Sequence, residues 1–197
     1  MSRFAALVLA AGASTRFANG HKLLARFRDK PLVSHVFERA ISAPVGARLV
    51  VTGARVGEIA ALAEAAGLRS LHNPDFATGL SSSLKAGLAA LPADCDGVLI
   101  LLGDMPLIHP ETLRAIVLAA EANPAFAAIV PTYRGEWGHP VLLKRALFGD
   151  LGLLTGDQGA RKLLQSRKDV LTLAVEDPGI LADFDTREAF ADVEKNQ

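Results

Sequence analysis

Short apolar runs alternate along the chain with longer stretches in which apolar residues recur every three or four positions. Residues 4–10, FAALVLA, form an unbroken apolar run of strand length. A run with no polar face predicts a strand covered on both sides. From Pro31 onward, Leu32, Val36 and Ala40 fall at helical spacing, and proline at a first helical position has its φ already set for a helix. The same pattern predicts a strand over 47–53, a helix over 56–67 closed by Gly67, a short strand over 69–73 and a helix over 80–91. Residues 97–104, GVLILLGD, are the most apolar strand; Pro110 then opens a helix through Ala122, and 125–133 read as a further strand. The last third is less regular. It predicts strands over 138–144 and 169–175 and helices over 157–166 and 187–195.

Strand–helix alternation of this kind predicts an α/β fold: a mostly parallel central sheet, right-handed crossovers, and helices on both faces. No repeat, linker or shift in composition interrupts residues 1–197, so one domain is expected. The apolar start follows Arg3 as in a signal peptide, but it spans only about ten residues where a bilayer needs about 20. It also runs into a Gly-Ala-Ser-Thr-Arg turn. A first strand is the better reading.

Composition narrows the function. The 197 residues carry 21 Lys+Arg against 21 Asp+Glu. That balance argues against a nucleic-acid or membrane surface, either of which calls for a basic excess. A single cysteine excludes an internal disulfide framework and a cysteine-rich metal site. Cys95 has no basic neighbour to lower its pKa and reads as inert. A cytoplasmic protein is expected.

In open α/β sheets ligands bind beyond the carboxyl ends of the strands. Reactive residues that follow strands here are the 12–22 loop, Asp104, His139 and, several residues after the last strand, Asp183 and Asp185. A glycine at a strand end lets backbone N–H groups approach an anion, and Arg16 and Lys22 in the same loop can neutralise a triphosphate. Two common phosphate motifs are absent. Lys22 is followed by Leu23 rather than Ser or Thr, and Gly12 by Ala13 and Ser14. With no acidic ribose ligand in VVTGAR either, a nicotinamide-dependent dehydrogenase is disfavoured. Asp104 directly follows a fully apolar strand, where a carboxylate suits Mg²⁺ held together with phosphate oxygens and water; capping the next turn is the plainer alternative. Asp185 reads equally as a metal ligand or as the N-cap of the last helix.

Taken in order, LAAG-x-S-x-R with KLL six residues on, NPDFATGLSSSLKAGL, LLGDMPLI, GHPVLL, GDQGARKLL and DFDT resemble the molybdenum-cofactor nucleotidyltransferases, above all their cytidylyltransferase branch. The resemblance implies a Rossmann-like nucleotidyltransferase fold. It also implies Mg²⁺-dependent transfer of CMP from CTP to the phosphate of molybdopterin, with release of pyrophosphate. By matching motifs it gives Leu9, Ala10, Ala11, Gly12, Arg16 and Lys22 to the nucleotide loop, with Arg16, Lys22 and Asp104 in the catalytic role. Asp104 and Asp185 become metal ligands, with Asp183 assisting. The segment 79–84 offers Gly79, Ser81 and Ser82 to nucleotide or acceptor phosphate, N-capping being the alternative. His139 falls to the acceptor pocket, with Trp137 and Tyr133 available to stack on a pterin or simply to pack. Ala11 stands where guanylyl-transferring relatives tend to have glycine, and its methyl group favours the smaller cytosine. Phe17 and Ala18 depart from the usual Met-Gly. A downstream molybdoenzyme or its chaperone is the implied protein partner. The alternatives are another base or another phosphate acceptor, such as a sugar phosphate, and a non-catalytic nucleotide- or cofactor-binding chaperone.

Overall fold

A computed structural model describes residues 3–13 and 21–184. Arg16, Asp185 and the helix expected over 187–195 lie outside the described residues.

Strand β1 (Phe4–Ala10) lies at the centre of the sheet. All of its residues are buried: Phe4, Ala6, Val8 and Ala10 enter one core, while Leu7 and Leu9 enter the other. This is why the run has no polar face. After the glycine loop come a 3₁₀ turn (Lys22–Leu24), a two-residue ladder of β2 (Arg26–Phe27) with β3 (Lys30–Pro31), and α1 (Leu32–Ser42). Pro31 sits just before α1 as its N-cap residue, one position earlier than expected, because it is held in that ladder. The chain continues through β4 (Ala47–Thr52), α2 (Val56–Ala65), β5 (Arg69–His72), α3 (Leu80–Ala89), β6 (Gly97–Leu102) and α4 (Pro110–Ala122). It ends with β7 (Ala128–Tyr133), β8 (Glu136–Trp137), β9 (Val141–Lys144), α5 (Phe148–Gly152), α6 (Ala160–Gln165), β10 (Val170–Ala174) and a 3₁₀ turn (Pro178–Leu181).

The sheet order is β10-β7-β9-β6-β1-β4-β5, with β8 paired to β7. β1, β4, β5 and β6 run parallel, as do β7 and β10. Helices α1, α2 and α4 cover one face, and α3, α5 and α6 the other. The expected mostly parallel sheet is present, with one antiparallel strand inside it. β9 lies antiparallel between β6 and β7. The reversal comes from a tight turn in which Arg134 and Gly135 both take positive φ, the backbone that matches hairpin twist.

The return arm of that hairpin is bulged. Between the pairs Thr132↔Trp137 and Ile129↔Leu142 it advances farther than β7 does: the Gly138 N–H still bonds to the Pro131 carbonyl at 2.9 Å, and His139 and Pro140 then interrupt the ladder. Pro140 has no N–H to give, so the break falls where a ladder bond is already missing. The His139 N–H bonds instead to the Ile180 carbonyl at 2.9 Å. The His139 backbone is thereby taken out of the β7 ladder.

Candidate active site

Three chain segments meet at the carboxyl ends of β1 and β6. The first is Ala11 to Ala13, leaving β1. It is kept close to β6 by the Gly103 N–H bond to the Leu9 carbonyl at 3.0 Å, an approach that leaves a side chain at Gly103 only 3.1 Å from that oxygen. The second is the Lys22–Leu24 turn, anchored by buried Leu23. The third carries Asp104, two residues past the end of β6. Lys22 Nζ and Asp104 Oδ2 are 2.7 Å apart, and the two side chains keep 13% and 21% exposure, so the pair is partly screened and open to a ligand.

His21, which sequence reading passed over, ties both stems of the glycine loop together. Its Nε2 lies 2.9 Å from the Gly12 carbonyl, which accepts the bond. Burial holds its pKa below the ordinary 6.5, against the upward pull of that bond. The positive charge of Arg55 lowers it further, Glu58 opposes this, and Lys22 adds a smaller downward push.

These segments line a cleft of about 510 Å³ together with the start of α3. Of the expected residues, Leu9, Ala11, Gly12, Lys22, Gly79 and Asp104 line it. Ala10 is fully buried beneath it. Ser81 and Ser82 are not among its lining residues. Ser82 Oγ donates to the carbonyls of Asp75 and Gly79 and accepts from Asn73 Nδ2, which closes the turn before α3. Ser83 reaches the cleft instead. It shares a face of α3 with Leu80, Leu84 and Gly87, a face legible from the helical period of the sequence. Asp183 is exposed and does not line the cleft; its neighbour Phe184 is buried edge-to-face on Phe27, with ring centroids 5.0 Å apart.

Asp157 supplies a second carboxylate to the wall. Its loop rests on Gly79, whose φ is +113° and whose missing side chain leaves room for the Gly156 backbone. The Ser81 N–H bonds to the Gly156 carbonyl at 3.0 Å. The motif GDQGARKLL, read in sequence as a helix with its lead-in and as part of the family resemblance but without a site role for its residues, delivers both Asp157 and Arg161 to this edge.

A second, apolar pocket of about 100 Å³ adjoins the cleft, sharing Leu9, Leu80 and Leu102 with it. His139, Trp137 and Arg161 line it, whereas Tyr133 does not and lies under the Arg134 guanidinium instead. Burial lowers the pKa of His139; Asp104 pulls it back up, Arg161 pushes it down, and a backbone hydrogen bond at Ile100 raises it slightly. His139 Nδ1 is buried and has no hydrogen-bond partner among the described residues. Cys95 lies apart from both sites, buried, with its thiol on the Gly97 carbonyl at 3.0 Å.

The arrangement joins a close backbone approach, a cation and a carboxylate at one sheet edge. Among known proteins it has a family. Residues 6–170 match the MobA-like NTP transferase domain. The chain belongs to that family. This NTP transferase-family chain is 37% identical over 136 residues to the bifunctional protein GlmU of Rhizorhabdus wittichii, across 68% of its own length and 29% of the relative's. It is 34% identical over 129 residues to a 3-deoxy-manno-octulosonate cytidylyltransferase of Anaeromyxobacter, covering 66% of this chain and 51% of that one. Nicotine blue oxidoreductase of Paenarthrobacter nicotinovorans matches over 92% of both chains at 27% identity. The fold superposes with a TM-score of 0.83 on Rv0371c of Mycobacterium tuberculosis, solved in complex with manganese, at 29% identity over 98% of this chain and 99% of that one.

Among the described residues no group of three or more His, Cys, Asp or Glu side chains is placed to hold a metal. The donor chemistry at Asp104 fits a divalent ion that arrives with its substrate. Its carboxylate is partly exposed and already faces a cation, the Lys22 ammonium. One carboxylate with phosphate oxygens and water is the usual shell of Mg²⁺. No helix among the described residues is long and apolar enough to cross a membrane.

Proposed function

We propose that this protein is a Mg²⁺-dependent nucleotidyltransferase that moves CMP from CTP to the phosphate of molybdopterin and releases pyrophosphate. The observation that carries the reading is the Lys22–Asp104 pair at 2.7 Å, set beside the Gly12 turn in a cleft large enough for a nucleotide. When bound, the metal supplies charge neutralisation on the triphosphate and acceptor oxygens.

The rest is the work of the chain. Asp104 offers its carboxylate to the ion, and Lys22, released from it, turns its ammonium to the β- and γ-phosphates. Arg16 adds a second cation from the same loop, and Asp185 a second acidic ligand. Backbone N–H groups around Gly12 hold the anion without a side chain in the way. An acceptor phosphate oxygen attacks the α-phosphorus in line. The new P–O bond forms as the bond to the β-phosphate oxygen breaks, and pyrophosphate leaves with that electron pair. The acceptor is ionised at neutral pH, so no general base is required, and catalysis rests on positioning and electrostatics. Ala11 lines the cleft, and a methyl group in place of a glycine there supports a smaller base, cytosine, over a purine. The cytidylyltransferase relative agrees with that preference.

The test is pyrophosphate release with molybdopterin and each of CTP, GTP, ATP and UTP. CTP turnover at least tenfold above the others, lost in Asp104→Ala, is expected; full activity in that variant overturns the metal assignment. A second reading, oxidation–reduction of a dye-like substrate, is raised by the full-length similarity to nicotine blue oxidoreductase. Oxidation or reduction of nicotine blue with no pyrophosphate release from any nucleotide would replace the first reading with the second.

A further inference from the structure

The walls of the nucleotide cleft differ in character. Gly12, Lys22 and Asp104, beyond the ends of β1 and β6, bring a bare backbone, a cation and a carboxylate paired with it. Phe76, Leu80 and Ser83, from α3 and the segment leading into it, bring apolar surface and one hydroxyl. Asp157 belongs to this second wall. A side chain added at Gly79 would lie 2.8 Å from the Asp157 nitrogen, and the Gly156 carbonyl accepts from the Ser81 N–H at 3.0 Å. Asp157 is thus held to the cleft by its backbone. Its side chain is exposed and forms no hydrogen bond or ion pair among the described residues.

We infer that Asp157 reads the sugar of the nucleotide: its carboxylate accepts from the ribose 2′- and 3′-hydroxyls and so selects ribonucleotides over their deoxy forms. The inference rests on the nucleotidyltransferase reading and deepens it. An unpaired carboxylate repels a triphosphate, so in this cleft it addresses the uncharged part of the nucleotide. A nucleoside offers it donors of two kinds, the ribose hydroxyls and a base amine. Depth separates them. Ser83 is buried, and its Oγ accepts from Asn73 Nδ2 at 3.0 Å, which leaves its own hydrogen to give to a base carbonyl. Ala11 is buried as well. A base seated against these groups leaves its sugar at the exposed wall, where Asp157 stands. Two hydroxyls on neighbouring carbons match two carboxylate oxygens, and such charge-assisted bonds are stronger than neutral ones. In dinucleotide-binding sheets an acidic residue near the second strand takes this part. Here VVTGAR, at the end of β4, has none, so the contact has to come from elsewhere in the chain.

Titration calorimetry of the full chain in Mg²⁺, with CTP and 2′,3′-dideoxy-CTP, reads the contact without any turnover. The wild type should bind CTP at least tenfold more tightly than the dideoxy form. Asp157→Ala should weaken CTP about tenfold, the worth of a hydrogen bond to a charged group, and leave the dideoxy form within twofold. Asp157→Asn, which keeps one acceptor oxygen, should recover part of the lost preference. UTP should lose the same factor as CTP in Asp157→Ala, and pyrophosphate with Mg²⁺ should lose none. The side chain is exposed, so an unchanged thermal midpoint is expected to show that the variant folds. Equal losses for CTP and its dideoxy form overturn the inference. A loss for CTP that spares UTP gives Asp157 to the base amine instead, and a loss for pyrophosphate with Mg²⁺ gives it to the metal; either overturns the ribose contact. Pyrophosphate release with an unaltered KM for CTP in Asp157→Ala removes the contact and keeps the transferase. A sugar preference that Asp157→Ala abolishes, without pyrophosphate release from any nucleotide, keeps the contact and removes the transferase.

Discussion

Lys22 and Asp104 neutralise each other in the absence of nucleotide, and that pairing decides what each substitution does. Asp104→Asn keeps the shape but offers a neutral oxygen to the metal, while Lys22→Met leaves the carboxylate without its cation and the phosphates without theirs. Each should lower kcat for pyrophosphate release by about 10²–10³, the usual cost of one electrostatic group aimed at developing charge. The double variant should be little worse than either single one, because the two act as a unit. His21 gives a pH prediction. Its folded pKa lies below the unfolded 6.5 because burial disfavours the imidazolium. Between those two values the unfolded chain binds more protons, so stability rises with pH there. The contribution is complete above 6.5 and is lost as pH falls below it. The thermal midpoint of the wild type should therefore drop between pH 7.5 and 5.5 by more than that of His21→Gln. Equal drops would show that burial of the His21 ring does not disfavour its charged form.

Elements set where these residues sit, and two junctions matter most. At Gly79 the backbone has φ +113°, and an added Cβ would lie 2.3 Å from the Gly156 carbon. Gly79→Ala should push the 155–158 loop off α3, withdrawing Asp157 from the cleft. The expected readout is a raised KM for nucleotide, with loss of stability of about 1–3 kcal/mol from the strained φ alone. At Asp177, a buried carboxylate accepts from the His109 N–H at 2.8 Å, Thr112 Oγ1 at 2.6 Å and the Gly179 N–H at 2.9 Å. It thus fastens the Pro178–Leu181 turn to the start of α4, and that turn holds the His139 N–H. Asp177→Ala should destabilise the fold by about 2–3 kcal/mol, from three donors left unpaired. It should also raise the acceptor KM more than that of CTP. Elements were legible in sequence where one pattern determines them: β1 by its unbroken apolar run, α4 by Pro110 and its periodicity. The direction of β9 was not, because a run as short as VLLK carries no sign of parallel or antiparallel pairing. Lys22 and Asp104 were legible as strand-end residues. Arg161 and Asp157 were not, since their place depends on a loop docking against a helix distant in sequence.

At the scale of the molecule, two hydrophobic cores clasp the sheet, and the Lys22–Asp104 pair lies at the edge where β1 and β6 end. The charge balance of 21 against 21 is therefore an average over a polarised object. Lys22 faces the Asp104 carboxylate, and Arg161 and Asp157 line the adjoining walls. Parts drawn from β1, β6, α3 and the α6 loop close one cleft, so ligand binding should stabilise all of them at once. A ligand that binds only the folded state adds RT ln(1 + [L]/Kd), about 2.7 kcal/mol at a hundredfold excess over Kd. For a chain of this length that corresponds to a rise of about 5–10 °C in the thermal midpoint. CTP with Mg²⁺ should produce the full rise, CTP alone a smaller one, and Mg²⁺ alone almost none, because a lone carboxylate already paired with Lys22 holds the ion weakly. In Asp104→Asn the metal-dependent part should vanish while the part from CTP alone persists. Loss of both parts in that variant would mean that Asp104 builds the nucleotide cleft rather than serving the metal.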